Sequence, residues 1–307
     1  MLSICTITRV TIGATLALMV AVSCTATETA TTTQATTPAA SDVVRAPSLL
    51  ETTEPFDANE QASRARFATQ IAHATWPPDW LGVTPLTARD LAPNGQFATP
   101  DVLTDRRFVT ASSLPPPPDD TFRATISAVS NDTLARSTWR EGCPVSQDEL
   151  AHLTVSFFGF DHVFHTGELL VHRDVADDVV AVFERLHAAR FPIEQIGIIT
   201  QNQLDADPSG DGNITTGFVC RSVVSGSAWS QHAYGQAIDI NPFHNPYLRG
   251  TTVVPELAGA YLDRDNVRPG MIVAGDEVVA AFADIGWSWG GNWVSAKDWM
   301  HFSANGR

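Results

Sequence analysis

Ser230-Gln-His232-Ala-Tyr-Gly235-Gln-Ala237-Ile-Asp239-Ile-Asn241 is the stretch that decides how this chain is read, and Asp298-Trp-Met-His301 answers it near the C-terminus. Alternation from Gln236 to Asn241 predicts a strand whose Ile238 and Ile240 face a core, while Ala237, Asp239 and Asn241 face a cleft. Gly235 and Ala237 are small, which lets the backbone pass close to a metal or a substrate, and His232 reaches in from the preceding loop. His232, Asp239 and His301 together offer two imidazoles and a carboxylate. Three such ligands leave one zinc position open, as a catalytic rather than a structural site requires. Asp298 is then left over for proton transfer. Positions three apart share a face on a helix but point oppositely on a regular strand, so Asp298 and His301 can meet only through a bend.

The pattern Ser-x-His-x-x-Gly-x-Ala-x-Asp, set at Ser230, His232, Gly235, Ala237 and Asp239 with the partner His301, resembles the zinc D-alanyl-D-alanine carboxypeptidase and L-alanyl-D-glutamate peptidase superfamily. Asn241-Pro242 and Trp289-Gly-Gly look like the family too, and the resemblance spans about residues 135 to 307. It implies one zinc ion on His232, Asp239 and His301. Zinc would polarise the scissile carbonyl and activate a water, and Asp298 would take that water's proton and pass it to the leaving amine. Arg221, at the end of Asp211-Gly-Asn213 to Cys220-Arg221, resembles the family arginine that holds a substrate carboxylate or the developing oxyanion. The implied activity is hydrolysis of peptidoglycan stem peptides, as a D-alanyl-D-alanine carboxypeptidase. An L-alanyl-D-glutamate endopeptidase is the alternative, towards which Asp rather than Glu at position 298 leans. A rival of another class is a non-catalytic cell-wall binding module in which zinc is structural, and another divalent ion suits the same ligands.

Elsewhere the histidines His152, His162, His165, His172, His187 and His244 lack ligand spacing, although His244 lies near enough to the motif to line a cleft. Trp287, Trp289, Trp293 and Trp299 could pave a peptide groove but read first as core, with Trp299, two positions before a ligand, bordering the site.

The first third of the 307-residue chain does not read as packed protein. Arg9 and the apolar run Val10 to Val22 have the form of a secretory signal, short of the about twenty apolar residues a membrane span needs. Ala21-Val22-Ser23-Cys24 permits a lipobox, so residues 1–24 read as a lipoprotein-type signal with a membrane anchor at Cys24, or else as an ordinary cleaved signal. Residues 25–49 are a Thr/Ala-rich disordered tether and 50–130 an extended or accessory segment, interrupted by Pro77-Pro78 and the run Pro115 to Pro118. Residues 131–307 are expected, from the resemblance, to form the peptidase domain. Its two cysteines, Cys143 and Cys220, are expected to pair in an exported protein, with two buried thiols as the competing reading. A formal net charge of -15 argues against nucleic acid as a partner, and the peptidoglycan peptide is read as meeting a monomer.

Within that domain, strands are expected at Leu153–Phe158, Gly167–Val171 and Ile193–Thr200, with helices over Val175–Arg190 and Asp276–Ile285. Segregated helices and strands indicate an α+β fold, with helices packed on a largely antiparallel sheet that carries the zinc site. The resemblance implies the same fold.

Overall fold

The computed structural model describes residues 74–89, 91, 95–223 and 226–307. The signal segment, the candidate lipid site at Cys24 and the Thr/Ala tether lie outside the described residues. All described residues fall in one compact unit, 54–307. None of its described helices is long and apolar enough to cross a membrane.

The architecture is α+β. Strands β1 (Ala124–Ala128), β2 (Leu150–Phe158) and β3 (Phe164–His172) form an antiparallel sheet in the order β1-β2-β3. Period-two burial turns Leu153, Val155, Phe157, Leu169 and Val171 to one side. There they meet helix α1 (Ala176–Ala188) through Val179, Val182, Phe183 and Leu186. Asp177 and Asp178 open α1 and Arg185 and His187 close it, matching the helix dipole at both ends. Helix α2 (Glu277–Asp284) packs beside α1 and starts where the Asp276 side chain accepts the Val279 N–H at 3.0 Å. Arg185 bridges the two helices through Glu277, at 2.8 Å, and Asp284.

The remaining strands are short. β4 (Gln195–Ile196) and β5 (Ile214–Thr215) pair in parallel. β6 (Ala237–Asp239), β11 (His301–Ser303) and β9 (Ser288–Trp289) make a second three-stranded sheet, and β10 (Lys297–Asp298), β7 (Tyr247–Arg249) and β8 (Thr252–Val254) a third. The strand expected over Ile193–Thr200 therefore shrinks to two residues. Its end is taken by Thr200, which caps the short helix Gln201–Asp205 in a capping box. Among the named strands pairing is antiparallel except in β4-β5, but it is divided among several small sheets rather than one. Ile238, Ile240 and Phe302 carry the second sheet into the same core as α1 and α2.

Residues ahead of β1 add a second apolar cluster. Leu86, Leu103 and Phe108 pack with Phe243, Leu257, Tyr261 and Met271. Arg106, 2 % exposed, donates to Glu194 through Nε at 2.8 Å and through a terminal nitrogen at 2.6 Å, and to the Asp211 carbonyl at 2.6 Å. Removing one member of such a buried pair costs about 3–5 kcal/mol, because the other charge is left without compensation. Ser112 Oγ lies 2.8 Å from His165 Nδ1, and Asp161 Oδ1 2.9 Å from His165 Nε2, so a further polar chain ties this segment to β3. Gly159 leaves room for it, since a Cβ there would sit 2.4 Å from Asp161 Oδ1. The cysteines do pair, as Cys143–Cys220.

Candidate metal centre

The site grows from three local features. Ser230 caps a short 3₁₀ turn, Gln231–Tyr234, its side chain accepting the His232 N–H at 3.4 Å. Gly235 ends that turn in the left-handed region, φ 65°. A Cβ at Gly235 would lie 2.4 Å from the His172 nitrogen, and the His172 N–H donates to the Gly235 carbonyl at 2.8 Å. The need for glycine thus comes from β3 pressing on the loop, where the sequence suggested close approach to a metal or substrate. Then β6 and β11 pair with Asp239 opposite His301, which sets the carboxylate beside the second imidazole.

His232 Nδ1 donates to the Gly217 carbonyl at 2.6 Å, which leaves Nε2 with its lone pair. That Nε2 is buried without a hydrogen-bond partner and lies 3.2 Å from Asp239 Oδ2. His301 Nδ1 lies 3.0 Å from Asp239 Oδ1. One ligand atom from each of the three residues fits within 4.8 Å of the others. An orphaned imidazole nitrogen, a second imidazole and a carboxylate converging in this way suit a zinc-sized cation. Burial would raise the Asp239 carboxyl, but the His232 and His301 imidazoles hold it well below the usual carboxylate range. Burial would likewise lower His301, but its hydrogen bond to Asp239 and that carboxylate's charge lift it to about 9.

The bend between Asp298 and His301 is present: β10 ends at Asp298, two turn residues follow, and β11 begins at His301 in a different sheet. Asp298 Oδ1 is buried and has no hydrogen-bond partner. Burial and then the charge of Asp239 push its carboxyl up to about 7, while His301 and Arg221 pull the other way. Arg221 therefore stands within electrostatic reach of the site, half-buried, with one guanidinium nitrogen donating to the Ser222 carbonyl at 3.2 Å.

Two residues near the site were not legible as such. Gly217 supplies the carbonyl that fixes the His232 tautomer, and a Cβ there would meet the Leu170 oxygen at 2.5 Å. Gly290 lies against Asp298, where a Cβ would sit 2.6 Å from the Asp298 oxygen and 2.9 Å from its Cβ. Trp293 borders the site, its ring centroid 5.6 Å from that of His301. Trp299, expected in that place, packs on the core beneath the Arg264 guanidinium, 4.9 Å away, and Trp287 and Trp289 are core as read. Two other expectations need correcting. His244 lines no cleft: it is fully buried, stacked on Phe160 at 4.9 Å, with Nε2 donating to the Arg106 carbonyl at 2.8 Å. Asn241 does not face a cleft either, because φ 44° turns its amide inward to accept the Glu194 N–H at 3.1 Å and donate to the Pro192 carbonyl at 2.8 Å.

Residues 224–304 match the family model described as D-alanyl-D-alanine carboxypeptidase. The matched span holds His232, Asp239, Asp298 and His301 in one segment, supports the resemblance drawn from the motif, and supports a peptidase. It begins after Arg221 and is narrower than residues 135 to 307. No curated protein and no solved structure matches the chain.

Proposed function

We propose that this protein is a zinc peptidase that hydrolyses an amide bond in peptidoglycan stem peptides, with the terminal D-alanyl-D-alanine bond as its substrate. The observation that carries the reading is the pairing of two unsatisfied buried groups. His232 Nε2 faces Asp239 and His301 with no hydrogen bond of its own, and the Asp298 carboxylate beside them also lacks a partner on Oδ1. Structural polar groups in a folded core are normally satisfied, so groups left open in one place point to a ligand and a reaction. Zinc bound by His232, Asp239 and His301 would supply Lewis acidity and lower the pKa of a bound water to about 7.

The chain's own residues do the rest. Gly217 holds the His232 tautomer, and the β6-β11 register holds Asp239 against His301. Asp298, buried with Oδ1 unpartnered beside Asp239 and His301, is placed to accept a proton and to return it to the leaving amine. Arg221 offers a fixed cation for the substrate's terminal carboxylate.

The test is mass spectrometry of a defined muropeptide pentapeptide incubated with zinc-loaded wild type and with Asp298→Asn. Wild type should release one D-Ala. The variant should keep its zinc and lose about 10²–10⁴-fold in kcat/KM, the usual worth of a general acid-base group. Cleavage between L-Ala and D-Glu instead would assign the endopeptidase. A wild type that holds zinc and cuts nothing would replace the enzyme with a binding module.

A further inference from the structure

Outside the metal centre, the turn between β2 and β3 holds a second set of groups able to do chemistry. Asp161 lies in that turn and His165 opens β3 beside Phe164, so carboxylate and imidazole come from one hairpin, whereas Ser112 arrives from the segment ahead of β1. His165 Nε2 lies 2.9 Å from Asp161 Oδ1 and 3.1 Å from Oδ2, and Ser112 Oγ lies 2.8 Å from His165 Nδ1. A carboxylate can only accept, so the ring proton sits on Nε2 and the lone pair on Nδ1 faces the serine hydroxyl. The carboxylate is itself held, accepting the Val163 N–H at 3.3 Å and the Thr110 N–H at 3.4 Å. Thr110 Oγ1 donates to the Glu194 carbonyl at 2.8 Å, which anchors the chain two residues before Ser112. His165 is 6 % exposed, with its ring 5.5 Å from that of Phe157, while Ser112 is open to solvent.

We propose that Ser112 and His165, with Asp161 as their positioning residue, form a second catalytic site, an acyl-transfer triad for short-chain carboxylic esters. The site needs no metal and does not rest on the peptidase reading. A serine hydroxyl is a weak nucleophile until an adjacent base takes its proton. Ser112 Oγ bonds to the ester carbonyl carbon as its proton passes to His165 Nδ1; the bond from that carbon to the alcohol oxygen then breaks, and the departing alkoxide takes the proton. Water follows the same route: it gives a proton to Nδ1, bonds to the acyl carbon, and displaces Ser112 Oγ, which recovers the proton. Asp161 keeps its hydrogen bond to Nε2–H throughout and offsets the charge of the imidazolium. The ring nitrogens are exchanged relative to the usual Ser-His-Asp triad, but the roles require only one nitrogen protonated towards a carboxylate and one free towards the hydroxyl. A buried base behind an exposed nucleophile suits a small acyl group that needs little of a pocket.

The experiment treats wild type, Ser112→Ala, Ser113→Ala, Asp161→Asn and His165→Gln with a fluorophosphonate, follows the adduct by intact mass and maps it by peptide sequencing. Wild type should take up one adduct, at Ser112, at the same rate with and without added zinc. Ser113→Ala should match it, and Ser112→Ala should take up none. Asp161→Asn and His165→Gln should react about 10²–10⁴-fold more slowly, the usual worth of a general base. Hydrolysis of p-nitrophenyl acetate should fall in the same order. If His165→Gln does not fold, Asp161→Asn decides. A folded wild type that forms no adduct at Ser112, or an Asp161→Asn protein that reacts within threefold of wild type, would overturn the inference and leave the metal centre untouched.

Discussion

Removing the disulfide, by Cys143→Ala with Cys220→Ala, should cost about 4.5 kcal/mol. The bond closes a loop with a sequence separation of 77. In the chain-entropy model that loop length corresponds to about 15 cal/mol/K removed from the unfolded chain, which is about 4.5 kcal/mol at room temperature. The native state should change little, because the Cys220 backbone has other anchors: its N–H donates to Thr138 Oγ1 at 2.8 Å and its carbonyl accepts from Arg140 at 3.3 Å. The assay is urea unfolding followed by tryptophan fluorescence. With a slope of about 2.5 kcal/mol/M, the midpoint should fall by about 2 M. Zinc affinity in native buffer should stay within about threefold. A midpoint within about 0.3 M of wild type would refute the reasoning, since the unfolded chain would then not feel the cross-link. A large loss of zinc affinity without denaturant would show that the bond shapes the native site instead.

Acid should weaken the fold through His244. Burial holds this imidazole at about 3, against an ordinary value of 6.5, so between these values the unfolded chain binds a proton that the folded chain refuses. Stability is therefore full above about pH 6.5 and falls as pH drops towards 3, by about 5 kcal/mol at most; the melting temperature of His244→Gln should fall less steeply than that of wild type across this window, and parallel curves would rule the group out. Gly235→Ala places a Cβ at φ 65° and 2.4 Å from the His172 nitrogen. It should cost at least about 1–3 kcal/mol of stability and, by moving the turn that carries His232, lower zinc affinity as read by chelator competition.

Much of the fold was legible because periodicity is a local property. The alternation in β2 and β3 and the helical spacing of α1 and α2 are set by which residues must leave water, and the structure reproduces those elements within a few residues. Local pattern carries no information about pairing. Nothing in Ile193–Thr200 shows that only Gln195 and Ile196 find a partner strand, or that the strands divide among several sheets. The segment ahead of β1 reads as proline-broken and accessory, yet Arg106 finds Glu194, distant in sequence, and Leu103 and Phe108 find Phe243 and Tyr261.

For the candidate site, residue type, spacing and the family resemblance singled out His232, Asp239, His301 and Asp298, and the structure brings ligand atoms of the first three within 4.8 Å of one another. What only the tertiary structure decided is that the Gly217 carbonyl takes the Nδ1 proton of His232 and leaves its Nε2 without a partner, and that burial and the Asp239 charge push the Asp298 carboxyl up. It also decided which tryptophan borders the centre. Those outcomes depend on main-chain carbonyls at Gly217 and Gly306 and on burial by strands from separate sheets. A carbonyl is common to every residue, so its role appears only once folding has aimed it.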